Sequence, residues 1–189
     1  MPEIRNAKIA ILSTHGFEQS ELTVPLQKLK EAGAQVTVVS PERGQIRGWN
    51  QKDWGDYVPV DKTLDEARAS DYDAIVLPGG QINPDLLRVN DKALQFIRSF
   101  VDSGKVVAAI CHAPWLLIEV DAVRGRKVTS YHSIKTDMKN AGGKWTDAEA
   151  VVDRGIITSR NPRDLNAFVA KIIEEIEEGT HENRRSAAG

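Results

Sequence analysis

The sequence predicts a single-domain α/β protein with a mainly parallel sheet covered by helices on both faces. Three observations carry that expectation. Short β-branched or apolar runs alternate with amphipathic segments of helical spacing. The run KVVAAI at 105–110 is apolar on both faces, the pattern of a parallel strand buried between two helical layers. Several strand ends run directly into turn residues, as in doubly wound sheets with right-handed crossovers.

The elements follow in order. KIAILS at 8–13 is a strand that ends in Thr14-His15-Gly16. Glu18–Ala32 carries Leu22, Pro25, Leu26 and Leu29 at helical spacing and stops at Gly33, a C-cap glycine. QVTVVS at 35–40 is a β-branched strand. Residues 41–62 form an irregular excursion containing Trp49 and Trp54, with room for a short hairpin. AIVL at 74–77 is a strand running into Pro78-Gly79-Gly80, and 85–101 reads as one amphipathic helix ended by Gly104. After the 105–110 strand, 113–120 is a helix. Residues 127–131, 150–153 and 156–159 are strands, the last two joined by Arg154-Gly155 as a hairpin. A closing helix spans 165–178, which bounds a domain over 1–178, and the polar tail 179–189 is expected to be flexible.

Composition narrows the function. The 189 residues carry a formal charge of −2, which gives no general electrostatic grip on nucleic acid or an anionic membrane. The opening stretch is too short in apolar residues for a signal peptide, and no run reaches membrane-span length. With one cysteine the chain can form no internal disulfide, which fits a reducing cytoplasm. Four scattered histidines and that cysteine show no metal-ligand spacing, so neither metal nor other cofactor is expected.

The cysteine stands where chemistry gathers. Cys111 ends the 105–110 strand and precedes a helix opened by Pro114, the position of a strained, exposed nucleophile elbow. The helix's positive end would favour thiolate, although a lone cysteine is as readily a small core hydrophobe. His112 is a candidate base whose ring needs an atypical backbone to reach its neighbour and an orienting partner on its other nitrogen. Asp85 is one candidate partner, and capping a helix is an equally physical role for it. Glu18, directly after the first strand end, suits a thiolate only if it keeps its proton and donates to sulfur; an ionised carboxylate would repel it. Gly79 and Gly80 offer backbone N–H groups for an oxyanion, or simply a turn.

Together, Phe17-Glu18 with Glu21-Leu22, LPGG at 77–80, NPDLLR at 83–88, AICHAP at 109–114, GRKVTSY at 125–131, IKTDMKNAGGKW at 134–145 and VVDRGIITSRNP at 151–162 resemble the PfpI family. That family groups intracellular peptidases, general stress proteins and protein deglycases. The resemblance implies a flavodoxin-like three-layer sandwich of glutamine-amidotransferase type, a Cys111 nucleophile, and Glu18 as the protonated residue tuning it. It further implies His112 as base, completed by an acid from a neighbouring subunit, for which Asp85 is the best position in a homodimer or higher oligomer. Tyr131 would line the pocket or pack in the core. Two departures stand out. Gln81-Ile82-Asn83-Pro84 lengthen the loop before a shorter acid, weakening a peptidase-like triad, and His15 stands where many relatives have Asp.

With these residues, the resemblance implies a stress-protective cysteine hydrolase acting on glyoxals or early glycation adducts of proteins. The alternatives are a redox-responsive stress protein whose cysteine oxidises to sulfinate, an intracellular cysteine peptidase, and a non-catalytic binding domain. Trp49 and Trp54 serve either as interface anchors or as loop packing.

Overall fold

The computed structural model describes residues 2–180. Its core is a seven-stranded sheet in the order β10-β11-β7-β6-β1-β2-β5, with only the β10–β11 pair antiparallel. The strands are β1 (Lys8–Leu12), β2 (Gln35–Ser40), β5 (Lys62–Thr63), β6 (Ala74–Leu77), β7 (Val106–Ile110), β10 (Val151–Asp153) and β11 (Ile156–Ser159). Helices α1 (Gln19–Glu31) and α6 (Leu165–Glu178) cover one face, where Leu22, Leu29, Phe168 and Ile172 pack on Ile9, Ile11 and Val76. Helices α3 (Asp91–Asp102) and α4 (Pro114–Glu119) cover the other, with Phe96, Ile97, Phe100, Leu116 and Leu117 against Leu12, Ile75 and Leu77. Each fully buried side chain of this kind contributes about 1.5–3 kcal/mol, which holds the three layers together. The expected sandwich is the observed architecture.

β7 is buried at all five positions, as its two-faced apolar pattern requires. It lies beside β6, and β6 beside β1, so that Leu77 pairs with Ala109 and Ile11 with Val76. This register brings the carboxyl ends of three strands to one point. The Arg154-Gly155 turn has φ of 48° and 77°, the backbone of a two-residue hairpin turn.

Three expectations need correction. The segment expected as one helix over 85–101 is two, α2 (Ile82–Leu87) and α3, because Asn90 takes the Ala93 N–H at 3.0 Å and restarts the helix as its N-cap. The 127–131 strand shrinks to β8 (Lys127–Val128), which pairs with β9 (Lys144–Trp145) outside the main sheet, while α5 (Lys135–Asn140) lies between them. Its continuation turns away because Tyr131 N–H is taken by the Cys111 carbonyl at 2.8 Å. The excursion contains a longer hairpin than expected, β3 (Gln45–Asn50) and β4 (Asp53–Pro59), with Trp49 edge-on to Trp54 at 5.5 Å. The expected flexible tail lies, beyond Thr180, outside the described residues. Among the described residues no helix is long and apolar enough to cross a membrane.

Candidate active site

Cys111 has φ of 66°, a left-handed conformation that a side chain with a Cβ adopts only at a cost of about 1–3 kcal/mol. Two neighbours hold it there: its N–H bonds to the Ser159 carbonyl at 3.0 Å, and its carbonyl takes Tyr131 N–H. The strain turns Sγ out of the strand toward a cavity of about 300 Å³. Glu18, Glu21, Trp49, Gln51, Gly80, Gln81, His112, Tyr131 and Pro162 line the rest of it. The thiol is 6% exposed and opens onto this space.

The same backbone turn resolves the adjacency problem at His112. Its Nδ1 stands 3.2 Å from Sγ, and its ring stacks on Tyr131 with centroids 4.7 Å apart. Nε2 meets Ser133 Oγ at 3.2 Å. Burial, reinforced by the charge of His132, holds the His112 pKa down at about 4, so the imidazole is neutral at pH 7 and a weakened base. Asp85 is exposed on α2, outside the cavity lining, so within one chain the hydroxyl of Ser133 occupies the place considered for it.

The acid beside the sulfur is Glu21, where Glu18 was expected. Glu21 is fully buried, takes Gly79 N–H at 3.0 Å through Oε1, and lies beside the Cys111 side chain. Burial, and then the neighbouring Glu18 charge, push its pKa up to about 8, so it keeps its proton at neutral pH. Glu18 instead stands at the N-cap position of α1 on the cavity wall, its side chain turned from the helix so that Oε1 accepts Gln51 N–H at 3.2 Å. One helical turn separates the two: Glu21 shares its face with Pro25 and Leu29, which point into the core.

The glycines also divide their roles. Gly79 N–H is committed to Glu21 and is not free to hold an oxyanion, whereas Gly80 N–H faces both Sγ and Glu21. A Cβ on Gly79 would sit 2.5 Å from Glu21 Oε1 and 2.7 Å from Cys111 Cβ, so this approach requires glycine. Asn83, buried at the start of α2, takes Thr14 N–H at 2.8 Å and donates to the Pro78 carbonyl at 2.9 Å. It thus ties two strand ends together. His15 Nδ1 accepts Arg47 N–H at 3.0 Å, fastening the first strand end to the hairpin that carries Trp49 and Gln51.

Burial pushes the Cys111 thiol up, and an ionised Glu21 would push it further. That opposes the expectation of a pKa lowered by the helix end; α4 is only six residues long. A protonated Glu21 removes the repulsion and would have a proton to offer sulfur, toward which the backbone N–H groups of Gly80 and His112 also point. Hydrogen bonds to a charged group contribute about 1.5–3 kcal/mol each, so these donors offset part of the cost of burying a thiolate, and burial remains the larger effect on the Cys111 thiol.

Fold and site define a class: an α/β protein with a single cysteine on a strand-to-helix elbow, between a neutral histidine and a protonated acid. The chain belongs to the DJ-1/PfpI family, whose model matches residues 7–175. It is 44% identical over 167 residues to Deglycase TK1284 of Thermococcus kodakarensis, covering 88% of this chain and 98% of that protein. General stress protein 18 of Bacillus subtilis is 45% identical over 163 residues, covering 85% of this chain and 92% of its own length. The crystal structure of Drosophila melanogaster DJ-1beta superposes with a TM-score of 0.81 at 28% identity, covering 92% of this chain and 95% of that one.

Proposed function

We propose that the protein is a stress-protective cysteine hydrolase that acts on glyoxals or early glycation adducts, with Cys111 as nucleophile. The observation that carries the reading is the strained Cys111 in a small cavity, 3.2 Å from a neutral imidazole and beside a protonated Glu21. The deglycase name of a 44% identical relative supports the substrate class.

His112 Nδ1 takes the thiol proton as sulfur attacks the aldehyde carbon, while the protonated Glu21 carboxyl and the Gly80 and His112 backbone N–H groups hold the nascent thiolate. The carbonyl π pair moves to oxygen, the backbone donors follow the charge there, and the proton returns from His112 to give a hemithioacetal. In a dicarbonyl, moving hydrogen from that carbon to the neighbouring ketone through an enediol leaves a thioester. Water then cleaves it to a hydroxy acid and the free thiol. One carbon is oxidised and its neighbour reduced, so no cofactor is called for. Purified protein is expected to consume methylglyoxal and Cys111→Ser to lose that activity; equal rates would overturn the reading.

The domain boundary at residue 178, a cytoplasmic location and a homodimer in which Asp85 approaches the partner's site belong to the same proposal. Exposed Leu86 and Val89 on and beside α2 supply apolar surface near Asp85 for such a dimer. A peptidase fits less well, because the cavity suits a small molecule better than a polypeptide. The second reading is redox sensing: the donors around Sγ would also hold sulfinate oxygens, and no resolving thiol exists in the chain. A Cys111-dependent gain of two oxygens after mild peroxide supports it, and an unchanged mass excludes it.

A further inference from the structure

We propose that Glu18 selects substrate charge, so that the pocket favours aldehydes and glyoxal adducts bearing a positive group beside the carbonyl and disfavours those bearing a carboxylate. The proposal rests on the reading of Cys111 as nucleophile and concerns what that same pocket admits. Among the described residues, two carboxyl groups line the cavity and no lysine or arginine does. Two arginines on neighbouring segments, Arg47 and Arg160, are engaged elsewhere. Arg47 donates to the Gly55 carbonyl and lies over Trp54 and Tyr57, and Arg160 is held by Asp147 and Asp164.

The two carboxyls are not equivalent. Glu21 is fully buried, its Oε2 has no hydrogen-bond partner, and it holds a proton. Glu18 is only half-buried and takes one N–H, from Gln51. Paired carboxyls divide one proton between them, and burial assigns it to Glu21. Burial raises the Glu18 pKa as well, but the fully buried Glu21 takes the shared proton first, so Glu18 is the carboxyl left to carry negative charge at the cavity wall, with no cation among the described residues lining it. Its backbone packs against Gly80: a Cβ there would lie 2.5 Å from Glu18 N. Because Gly80 N–H faces Sγ, the Glu18 backbone stands one residue's width from the reacting centre, and its carboxyl belongs to a residue lining the same cavity. The donors at sulfur serve the oxyanion, and Glu18 serves a cation a few bonds away, such as the ammonium or guanidinium of an adduct on nitrogen.

The test uses the full chain and three small aldehydes of different charge: glyoxylate, methylglyoxal and trimethylammonioacetaldehyde. Reversible hemithioacetal formation is read as protection of Cys111 from iodoacetamide, each half-protection concentration being normalised to methylglyoxal with the same variant. Wild type should favour the cation over the anion by about tenfold or more, as expected for a unit charge within several ångströms in a partly desolvated site. Glu18→Gln should collapse that ratio and Glu18→Lys should invert it. A ratio unchanged by both variants, or a wild type that prefers glyoxylate, would overturn the proposal while leaving methylglyoxal turnover intact. Absence of any Cys111-dependent protection would overturn the nucleophile reading and this proposal together.

Discussion

Glu21→Gln offers a direct physical probe of the buried acid. The folded pKa of Glu21 is about 8, against 4.5 for the unfolded chain. Between those values the folded state holds a proton that the unfolded state lacks. Stability therefore falls as pH rises, by about 1.4 kcal/mol per unit while the difference is one full proton. The contribution is fully present below pH 4.5 and is lost as pH passes through about 8. Glutamine is nearly isosteric and does not titrate, so the wild-type minus variant difference isolates this one group. From pH 5.5 to 7.5 that difference should fall by about 2 kcal/mol. Urea unfolding followed by circular dichroism at fixed protein concentration measures it. Parallel pH profiles for the two proteins would refute a protonated, buried Glu21.

Three further substitutions test the framework. Asn83→Ala should cost about 2–3 kcal/mol in urea unfolding, because Thr14 N–H and the Pro78 carbonyl lose their shared partner; a loss below 0.5 kcal/mol would argue against the clasp. Gly79→Ala forces a Cβ against Glu21 and Cys111 and should cost about 1–3 kcal/mol together with most methylglyoxal turnover, read by the same unfolding and consumption assays. Ser133→Ala should lower kcat about fivefold, the equivalent of one neutral hydrogen bond, and displace the acid limb of the kcat–pH profile; an unmoved limb would separate Ser133 from His112.

Much of this arrangement is written in local sequence. The bounds of β2, β11 and α6 follow from β-branched and amphipathic runs, and Cys111 at a strand-to-helix elbow follows from AAIC followed by Pro114. The acid was harder to read. Proximity to the strand end selects Glu18, yet the helix rotates Glu18 to the cavity wall and carries Glu21 inward. The missing signal was periodic: Glu21 lies four and eight residues before Pro25 and Leu29, on the buried stripe, where a carboxyl must be neutral or paired. Asn83 and Ser133 act through contacts made across 69 and 21 residues of chain, and no local pattern encodes those. The α2–α3 break was visible only as Asn90, a residue that caps as readily as it loops.

The most direct measurement is the alkylation rate of Cys111 by iodoacetamide against pH, in wild type, Glu21→Gln and Glu18→Gln. A thiolate held by a protonated Glu21 predicts an upward shift of the midpoint by about a unit in Glu21→Gln, since an amide donates more weakly than a carboxylic acid, and no upward shift in Glu18→Gln. A midpoint unmoved or lowered in Glu21→Gln, or raised in Glu18→Gln alone, would contradict the account.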